Sequence, residues 1–342
     1  SRMRRFPFRE TRVFLRPLWI LQRFFWRFRK KGFVDQTDGL LPSIRREVKQ
    51  DLANGVHHII VSCAPFHWAL HVGRVLLDFD ASDRPQFIVD FRDPWSSNDI
   101  AYFNHISDDE RYLEANREEE VWQLADKVLL VEEKIALPRN LSLRKHFVLP
   151  NGAKMTPLVR RERQELGSVV KAVYFGSLYS GCLENFVSCL QAVNKSCIAM
   201  GKGFECRIGG RWTRLELDRI ADLEFCEYHG MLPRDTMREF WNEANFGISI
   251  IPDSMPYAIN TKILECVSIG KPVCVIAKNG SAADFLTKNR LGIVWDPAVG
   301  TSKNESLEEW IFEGCPIGPG DGHMLYDLDC LVDSLEDELR QA

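Results

Sequence analysis

The sequence lacks a Cys-x-x-Cys motif, and it lacks an uninterrupted apolar run long enough to cross a membrane. None of its ten cysteines stands in that spacing, which argues against a zinc ribbon or thioredoxin-like chemistry. The longest apolar stretch near the start, 13–28, contains three arginines, a glutamine and a proline, so it predicts neither a spanning helix nor a signal peptide. These absences predict a protein of a reducing, cytoplasmic compartment that is soluble or peripheral to a membrane.

Charge is distributed unevenly along the chain. Residues 1–31 carry a net charge of +10, so the remainder carries −14 and the whole chain −4. An acidic body argues against nucleic-acid binding by the whole protein. The basic residues alternate with aromatic ones, which is typical of a segment that lies on an anionic membrane surface. A nucleic-acid-binding arm, or a helix pair packed on the following domain, remains an alternative. The aromatic residues are Phe6, Phe8, Phe14, Trp19, Phe24, Phe25, Trp26 and Phe28.

The pattern of apolar runs predicts an α/β protein. A chain of 342 residues that is 45% hydrophobic is large enough for two domains. In the first half, short apolar runs typical of buried parallel strands alternate with stretches of helical character at 65–79 and 108–125. The predicted strands are 58–62, 86–90, 127–132 and 146–150.

The same alternation begins again after a polar stretch at 151–168, which has the composition of a linker. The second half therefore predicts another doubly wound, Rossmann-like domain, which ends in an amphipathic helix over 325–339. From these patterns we predict a basic aromatic segment at 1–33, a first domain at 34–155 and a second at 169–342. The strands predicted for the second domain are 171–176, 204–210, 224–230, 245–252 and 271–277.

Ligands of doubly wound sheets bind beyond the carboxyl ends of the strands, so the residues after each predicted strand are candidate binding residues. Gly176 and Ser177 follow the first strand of the second domain, where a glycine allows the backbone to approach a phosphate. Arg211 follows two glycines after the next strand and could clamp a diphosphate with its guanidinium. A plain turn and a surface arginine are the alternative interpretations of these two segments.

A third segment, Asn260–Glu265, combines a helix start with two charged side chains. Asn260 or Thr261 is expected to cap the helix, and its first turn would direct N–H groups and the Lys262 ammonium toward a phosphate. Glu265 is close enough to that turn to accept hydrogen bonds from ribose hydroxyls. The alternative is a surface helix with a Lys–Glu ion pair three residues apart, followed by a surface Gly-Lys-Pro turn at 270–272.

These segments resemble the large group-1 glycosyltransferases of the GT-B fold, which are family 4-like and include bacterial polysaccharide-making enzymes. That family carries the pattern K-[LIF]-x-E-x-x-x-x-G-x-P-V. Other segments of this chain are also similar to the family, and they follow one another in the same order as in its members. The matching positions of the pattern are Lys262, Glu265, Gly270, Pro272 and Val273, and the other similar segments are Gly176, 230–233, 245–247, 90–95, 125–126 and 150–153.

The resemblance implies two Rossmann-like domains facing a cleft, with the acceptor bound by 34–155 and the nucleotide sugar by 169–342. It implies a hexosyltransferase of class EC 2.4, with a nucleotide sugar as co-substrate, no assigned metal, and a glycan or lipid-linked acceptor. Glu265 would hold the ribose, while Lys262 and the Gly176 backbone would stabilise the leaving diphosphate. Nothing before His57 matches the first strand and Gly-rich loop of the family, so the first domain is predicted to lack that strand.

Two positions depart from the family pattern. Tyr257 stands where many members have a glutamate eight residues before the ribose glutamate, and Ser177 stands where an arginine is common. These differences keep two alternatives open. One is an enzyme similar to a sugar-nucleotide 2-epimerase, and the other is a catalytically degenerate subunit that only binds a sugar nucleotide.

The segment Asp-Phe-Arg-Asp-Pro-Trp after the second predicted strand supplies the candidate catalytic residues. Asp90 and Asp93 are candidates for binding the acceptor or acting as a base, and Arg92 is a candidate charge partner. Trp95 is predicted to contact the acceptor. His67 is either a histidine of the core or cleft or a further contact to the acceptor. Aspartates that only form a turn are the alternative.

Two motifs have spacings that occur in metal sites, but neither is assigned a metal. His67 and His71 are four residues apart on a predicted helix, but the glutamate of a metalloprotease motif is missing. The Asp-x-Asp triplet at 78–80 is expected by chance in a chain this acidic.

Overall fold

The computed structural model describes residues 41–63, 66–80, 83–97, 106–133, 135, 146–155, 166–302, 306–317 and 322–340. The predicted basic aromatic segment, 1–33, and the middle of the predicted linker, 156–165, lie outside the described residues. The chain divides into two compact units, Ser1–Leu149 and Pro150–Ala342. Among the described residues, no helix is both long enough and apolar enough to cross a bilayer.

The first unit contains a parallel sheet with helices between its strands. Four strands pair in chain order, with Ile60 opposite Ile88 and Leu129 opposite both Asp90 and Phe147. All four lie where the sequence predicted strands. The strands are β1 (His58–Ser62), β2 (Gln86–Phe91), β3 (Lys127–Leu130) and β4 (His146–Val148), and the helices are α1 (Leu41–Ala53), α2 (Phe66–Leu76) and α3 (Asp108–Leu124).

The second unit contains a larger sheet. Its strands are β5 (Val169–Phe175), β6 (Gly203–Gly209), β7 (Cys226–Tyr228), β8 (Phe246–Ile250), β9 (Val273–Ile276), β10 (Gly292–Asp296) and β11 (Thr301–Ser302). They pair in the order β11-β10-β9-β8-β5-β6-β7, and among these described strands only β11 pairs antiparallel. The sequence predicted β5 to β9 but not β10 or β11. The helices are α4 (Leu183–Ala199), α5 (Arg214–Ala221), α6 (Arg234–Glu243), α7 (Thr261–Ser268), α8 (Ser281–Asn289), α9 (Leu307–Phe312), a 3₁₀ turn (Gly322–Tyr326) and α10 (Leu328–Arg340).

The strand order of the second unit places a topological switch point between β5 and β8. From β5 the chain builds outward through β6 and β7, and then returns to pair β8 with the other side of β5. The connections that leave the carboxyl ends of β5 and β8 therefore run to different regions of the sheet and leave a crevice between them. Gly176 follows β5, and the loop before α7 follows β8, so both predicted donor segments lie at this crevice.

The segment Pro150–Met155 belongs to the second unit, although the sequence prediction placed it at the end of the first domain. Asp327, at the start of α10, accepts a hydrogen bond from the Met155 N–H at 2.8 Å. The same carboxylate accepts from the N–H groups of Asp329 and Cys330, and so caps α10. These contacts attach the segment to the last helix of the chain.

The cysteines fill the core. All ten lie in the described residues, where they form no disulfide, and eight of them are buried. Cys206 and Cys274, in β6 and β9, have no exposed surface, as expected for thiols that act as small apolar side chains. Burial raises the pKa of the Cys266 thiol well above its usual range, so this group stays protonated at neutral pH.

Lys271 is a buried lysine that closes the end of α6. Its Nζ donates to the carbonyl oxygens of Ala244 at 2.5 Å and Asn242 at 3.3 Å, where the helix dipole favours a cation. Only 7% of the residue is exposed. The Gly-Lys-Pro segment is therefore more than a surface turn, because it ties α6 to the start of β9.

We expect Lys271→Met to lower the free energy of unfolding by about 1–3 kcal/mol, because the methionine leaves both carbonyls without this ammonium. Urea denaturation followed by circular dichroism measures the change. Lys288→Met, at an exposed position in α8, is the matched control. Equal denaturation midpoints for the two variants would show that the buried ammonium contributes nothing to stability.

Candidate functional site

Two glycine backbones touch at the ends of β5 and β6. Gly176 has φ +140° and Gly210 has φ +138°, a region that side chains disfavour. A Cβ on Gly210 would lie 2.4 Å from the Gly176 oxygen, so no other residue fits there. The Trp212 indole donates to the same oxygen at 2.9 Å, and the Gly176 N–H donates to Gly209 at 2.8 Å.

This geometry changes the role expected for Gly176. Its backbone is predicted to stabilise the leaving diphosphate, but the Gly176 N–H group already donates to the Gly209 carbonyl. What the missing side chain provides is space, because a Cβ at Gly176 would lie 2.2 Å from Cε and 2.8 Å from Nζ of Lys262. The glycine therefore allows the lysine from α7 to cross the end of β5.

Lys262 is held by aromatic rings. Its Nζ lies 5.4 Å from the centre of the Tyr174 ring and 5.6 Å from that of Tyr179, within the range of cation–π attraction. Burial lowers the pKa of the ammonium, and the nearby Glu265 carboxylate acts in the opposite direction. Within the ranges that the structure describes, no carboxylate makes an ion pair with this ammonium. The ammonium is therefore available to interact with an anionic ligand.

Asn260 fixes the start of α7 against β8. Its Oδ1 accepts from the Ile263 N–H at 3.1 Å, and its Nδ2 donates to Ser249 Oγ in β8 at 2.9 Å. Of the two residues that the sequence offered as caps, Asn260 is the one used, and the exposed Thr261 begins the helix. The first turn of α7 therefore lies at the carboxyl end of β8 beside the switch point.

Glu265 lies one turn further along α7, where the charges of two cationic side chains act on it. Its side chain is partly exposed, and the partial burial of its carboxyl raises the pKa, while the charges of Lys262 and Arg234 lower it. Arg234 is the first residue of α6, and the sequence interpretation missed it. It could have been found, because it directly follows the matched Gly-x-Leu-Pro segment at 230–233.

Ser177 and Arg211 flank the glycine contact. Both side chains are exposed, and the Ser177 carbonyl accepts from the Tyr174 hydroxyl at 2.9 Å. Arg211 directly follows Gly210, and it makes no ion pair in the part of the chain that the structure describes. Its guanidinium is therefore available to a ligand at the same end of the sheet.

In the first unit, Asp90, Arg92 and Asp93 lie at the carboxyl end of β2. Arg92 donates to Asp90 Oδ2 and to the Leu149 carbonyl, both at 2.8 Å. Burial raises the pKa of Asp90, against the opposing charge of Arg92, and its buried Oδ1 has no hydrogen-bond partner among the described residues. Burial also raises the pKa of Asp93. Two carboxyl groups with raised pKa values at a strand end are suited to proton transfer.

His67 and Trp95 lie in the interior of the first unit, which agrees with the core alternative for His67 but not with an acceptor contact. Their exposed fractions are 1% and 0%, so neither presents surface to an acceptor in this structure. The Trp95 indole donates a hydrogen bond to Oε2 of the buried Glu114 carboxylate at 2.9 Å. Nε2 of His67 lies at hydrogen-bond distance from the same oxygen, also at 2.9 Å. The prediction of direct acceptor contacts is therefore corrected, because these side chains serve an internal polar cluster.

Comparison with known proteins gives a fold but no family. No protein-family model matches the sequence, and the search of the curated proteins found no match either. Among solved structures, the trehalose-6-phosphate synthase OtsA has a TM-score of 0.57 and 13% identity, with 94% of this chain and 81% of that chain covered. A glycosyltransferase from Rickettsia africae ESF-5 has a TM-score of 0.56 and 12% identity, with 91% and 84% covered. The trehalose 6-phosphate synthase from Burkholderia multivorans has a TM-score of 0.53 and 13% identity, with 94% and 79% covered.

The chain has the GT-B fold. The sequence prediction of two Rossmann-like α/β units is thereby confirmed. At 12–13% identity the similarity establishes the fold alone. The chemistry has to be argued from the residues that this GT-B chain places at its strand ends.

A small cleft lies in the second unit of this GT-B chain. It has a volume of about 110 Å³ and opens at the ends of β8 and β9. Lys278 and Asp253 form an ion pair at its wall. Gly280, with φ +148°, brings the start of α8 against the Pro256 carbonyl, where a Cβ would lie 2.3 Å from the oxygen. The residues that line the cleft are Ile251, Pro252, Asp253, Pro256, Ala277, Lys278 and Asn279.

Tyr257 is buried next to this cleft, with 6% of its surface exposed. A phenol therefore occupies the position at which the resembling family often has a glutamate. Asp253 and Lys278 are the charged residues among those that line the cleft. The sequence analysis did not identify them, because neither belongs to a recognised motif.

Among the described residues, no group of three or more His, Cys, Asp or Glu side chains is arranged to hold a metal ion. His67 and His71 have ring centres 6.3 Å apart and meet edge to face. The predicted donor segments instead carry the cationic side chains of Lys262 and Arg211, and the charge of Arg234 acts on Glu265.

Proposed function

We propose that the protein is a glycosyltransferase that transfers a sugar from a nucleoside-diphosphate sugar to a glycan or lipid-linked acceptor. The observation that carries the proposal is the Lys262 ammonium, held across Gly176 at the switch point of the second unit, with the Glu265 carboxylate one turn further along α7. A cation and a carboxylate in this relation are complementary to a diphosphate and a ribose.

The donor chemistry follows from these charges. As the bond between the sugar and the diphosphate breaks, negative charge develops on the leaving diphosphate, and the partly buried Lys262 ammonium stabilises it. Arg211 and Arg234 add positive charge at the neighbouring strand end and helix start. Glu265 accepts hydrogen bonds from the ribose hydroxyls. Because these cationic side chains can compensate the negative charge of the diphosphate, we assign no metal or other cofactor.

The acceptor is assigned to the first unit, with Asp93 or Asp90 as the base that takes the proton of the acceptor hydroxyl. The raised pKa values of both carboxyl groups bring them closer to the working pH of a general base. Arg92 orients Asp90 through the 2.8 Å hydrogen bond. The reaction class is that of a hexosyltransferase, EC 2.4, in polysaccharide biosynthesis.

The setting of the reaction is proposed from composition. The basic aromatic segment 1–33 is suited to an anionic membrane surface, which supports a peripheral location at the inner face of the cell membrane in the cytoplasm. A lipid-linked acceptor would be presented at that surface. We assign no nucleic-acid partner.

A thermal-shift panel of UDP-, GDP- and dTDP-sugars tests the donor assignment. A ligand at 100 times its Kd stabilises the folded protein by about 2.7 kcal/mol, which is a readily measured rise in Tm. We expect one nucleotide class to stabilise the chain, and we expect Lys262→Gln to reduce the effect while Lys288→Gln keeps it. No stabilisation by any sugar nucleotide would reject the proposal.

An assay of nucleoside diphosphate release separates the enzyme from the alternative of a catalytically degenerate subunit. Binding of a sugar nucleotide without release of nucleoside diphosphate would favour that alternative.

A further inference from the structure

Helix α3 turns two carboxylates into the interior of the first unit. Glu114 and Glu118, one turn apart, are 0% and 2% exposed. The other acidic residues of α3 are half-buried or exposed. From its composition alone, α3 would be expected to be a solvent-exposed helix. Burying two carboxylates is costly for stability, and an apolar pair of similar size would often be as stable or more so.

Both carboxylates bind the segment that follows the candidate catalytic residues. Glu118 Oε2 accepts hydrogen bonds from the Ser96 N–H at 3.0 Å and from the Ser96 hydroxyl at 2.5 Å. Glu114 Oε2 accepts from the Trp95 indole at 2.9 Å. Arg111, one turn before Glu114, donates to the Ser96 carbonyl at 3.0 Å. One helix therefore holds Trp95 and Ser96 through backbone and side-chain groups alike.

The two carboxylates differ in electrostatic setting. Burial would raise the pKa of Glu114, but hydrogen bonds from His67 and Trp95 and the charge of Arg117 outweigh it and lower that pKa. Burial raises the pKa of Glu118, and its hydrogen bonds from Ser96 only partly oppose this. Glu114 is thus the ionised centre of the cluster. Glu118 binds Ser96 because its Oε2 accepts two hydrogen bonds. The uncharged amide oxygen of a glutamine at position 118 can accept the same two bonds.

The held segment is directly connected to the candidate base. Asp93 is separated from Trp95 only by the buried Pro94, whose ring restricts the backbone. On the other side, β2 and the hydrogen bonds of Arg92 fix Asp90. Anchoring at both ends leaves the Asp93 backbone little freedom. A displacement of a reacting group by about 1 Å can lower a rate about 100-fold, so such anchoring bears on catalysis.

We propose that Glu118 and Glu114 are positioning residues, which hold the segment Asp93–Ser96 in place for the reaction through their hydrogen bonds to Ser96 and Trp95. The inference rests on the proposed glycosyltransferase function. Neither glutamate touches the acceptor, and each acts through the segment that it binds.

The test uses full-length Glu118→Ala, Glu118→Gln and, as the matched control on the same helix, Glu119→Gln. Hydrogen exchange measured by mass spectrometry follows peptides that cover 88–97 and peptides of the second unit. Release of nucleoside diphosphate is measured with water as acceptor, using the UDP-, GDP- or dTDP-sugar that most stabilises the wild type. If Glu118→Ala does not fold, Ser96→Ala removes the hydroxyl hydrogen bond alone and takes its place.

We expect Glu118→Ala to speed exchange in 88–97, to leave the second unit unchanged, and to lower kcat about 10- to 100-fold with the donor KM unchanged. Glu118→Gln should restore most of the rate, because its amide oxygen can accept both hydrogen bonds from Ser96. A purely structural role would lower Tm without this split between kcat and KM and without rescue.

Unchanged exchange in 88–97 overturns the inference. Faster exchange with an undiminished kcat also overturns it, because the segment would then be held for stability alone. If the wild type neither binds a sugar nucleotide nor releases a nucleoside diphosphate, the proposed function fails and the positioning role fails with it. In that case, the exchange data still show whether Glu118 holds the segment.

Discussion

Replacing Glu265 by alanine is expected to reduce kcat/KM for nucleoside diphosphate release at least about 100-fold, without a loss of fold. Hydrogen bonds to a charged group are worth about 1.5–3 kcal/mol each, and a ribose offers two hydroxyls. The glutamate is partly exposed at the surface of α7, so its removal leaves no cavity in the core. The measurement is steady-state release with the donor found in the thermal-shift panel.

The control for this prediction is Glu239→Ala, which removes an exposed glutamate from α6. Normal turnover by Glu265→Ala would reject the assignment of Glu265 to the ribose. The pH dependence adds an independent criterion. Partial burial raises the pKa of Glu265, so its ionised, accepting form is lost at a higher pH than for an ordinary glutamate. Because the Lys262 charge lowers that pKa, Lys262→Met should shift the acidic limb of the residual activity to higher pH.

Strand prediction succeeded where an apolar run stood between clear breaks. The run 58–62 forms β1 with the predicted ends, whereas only Cys226–Tyr228 of the run 224–230 forms a strand. Strand β10 was missed. Helix α8 before it ends on Arg290 in the left-handed conformation, with φ 52°, where a glycine would ordinarily mark the helix end in the sequence.

The positions of the predicted donor residues could be inferred from helix and strand ends, whereas their roles stay predictions. The cap at Asn260 and the approach of Lys262 to Gly176 follow from a helix that starts at the end of a buried strand. The buried positions of His67 and Trp95 could not be predicted from helix and strand ends. Their environment depends on Glu114 facing inward from a helix whose composition is that of a solvated surface.

The pairing of Lys262 with Gly176 also illustrates what a motif leaves out. The family pattern contains Lys262 and Glu265, but the space for the lysine is provided 86 positions earlier in the chain, as a missing side chain after β5. Strand order brings the two together, because β5 and β8 are neighbours only through the switch point. Sequence spacing alone carries no information on that contact.

The Gly176→Ala variant is expected to weaken sugar-nucleotide binding about 10- to 100-fold. Its methyl group would lie 2.2 Å from Lys262 Cε and 2.8 Å from Nζ, so the ammonium has to move away from the end of β5. The backbone at φ +140° adds strain for any residue with a side chain. Thermal shift and isothermal titration with the donor from the panel measure the loss.

Two comparisons separate displacement of the lysine from strain. Gly181→Ala also places a side chain at positive φ, +78°, but finds nothing within 4 Å, so it should cost stability and leave donor affinity unchanged. In a double-mutant cycle, Lys262→Ala removes the atoms that the new methyl group would meet. If the glycine acts by making room for the ammonium, then Gly176→Ala will have little further effect on affinity in the Lys262→Ala background. Full additivity of the two losses would instead mean that Gly176 serves the donor site independently of Lys262.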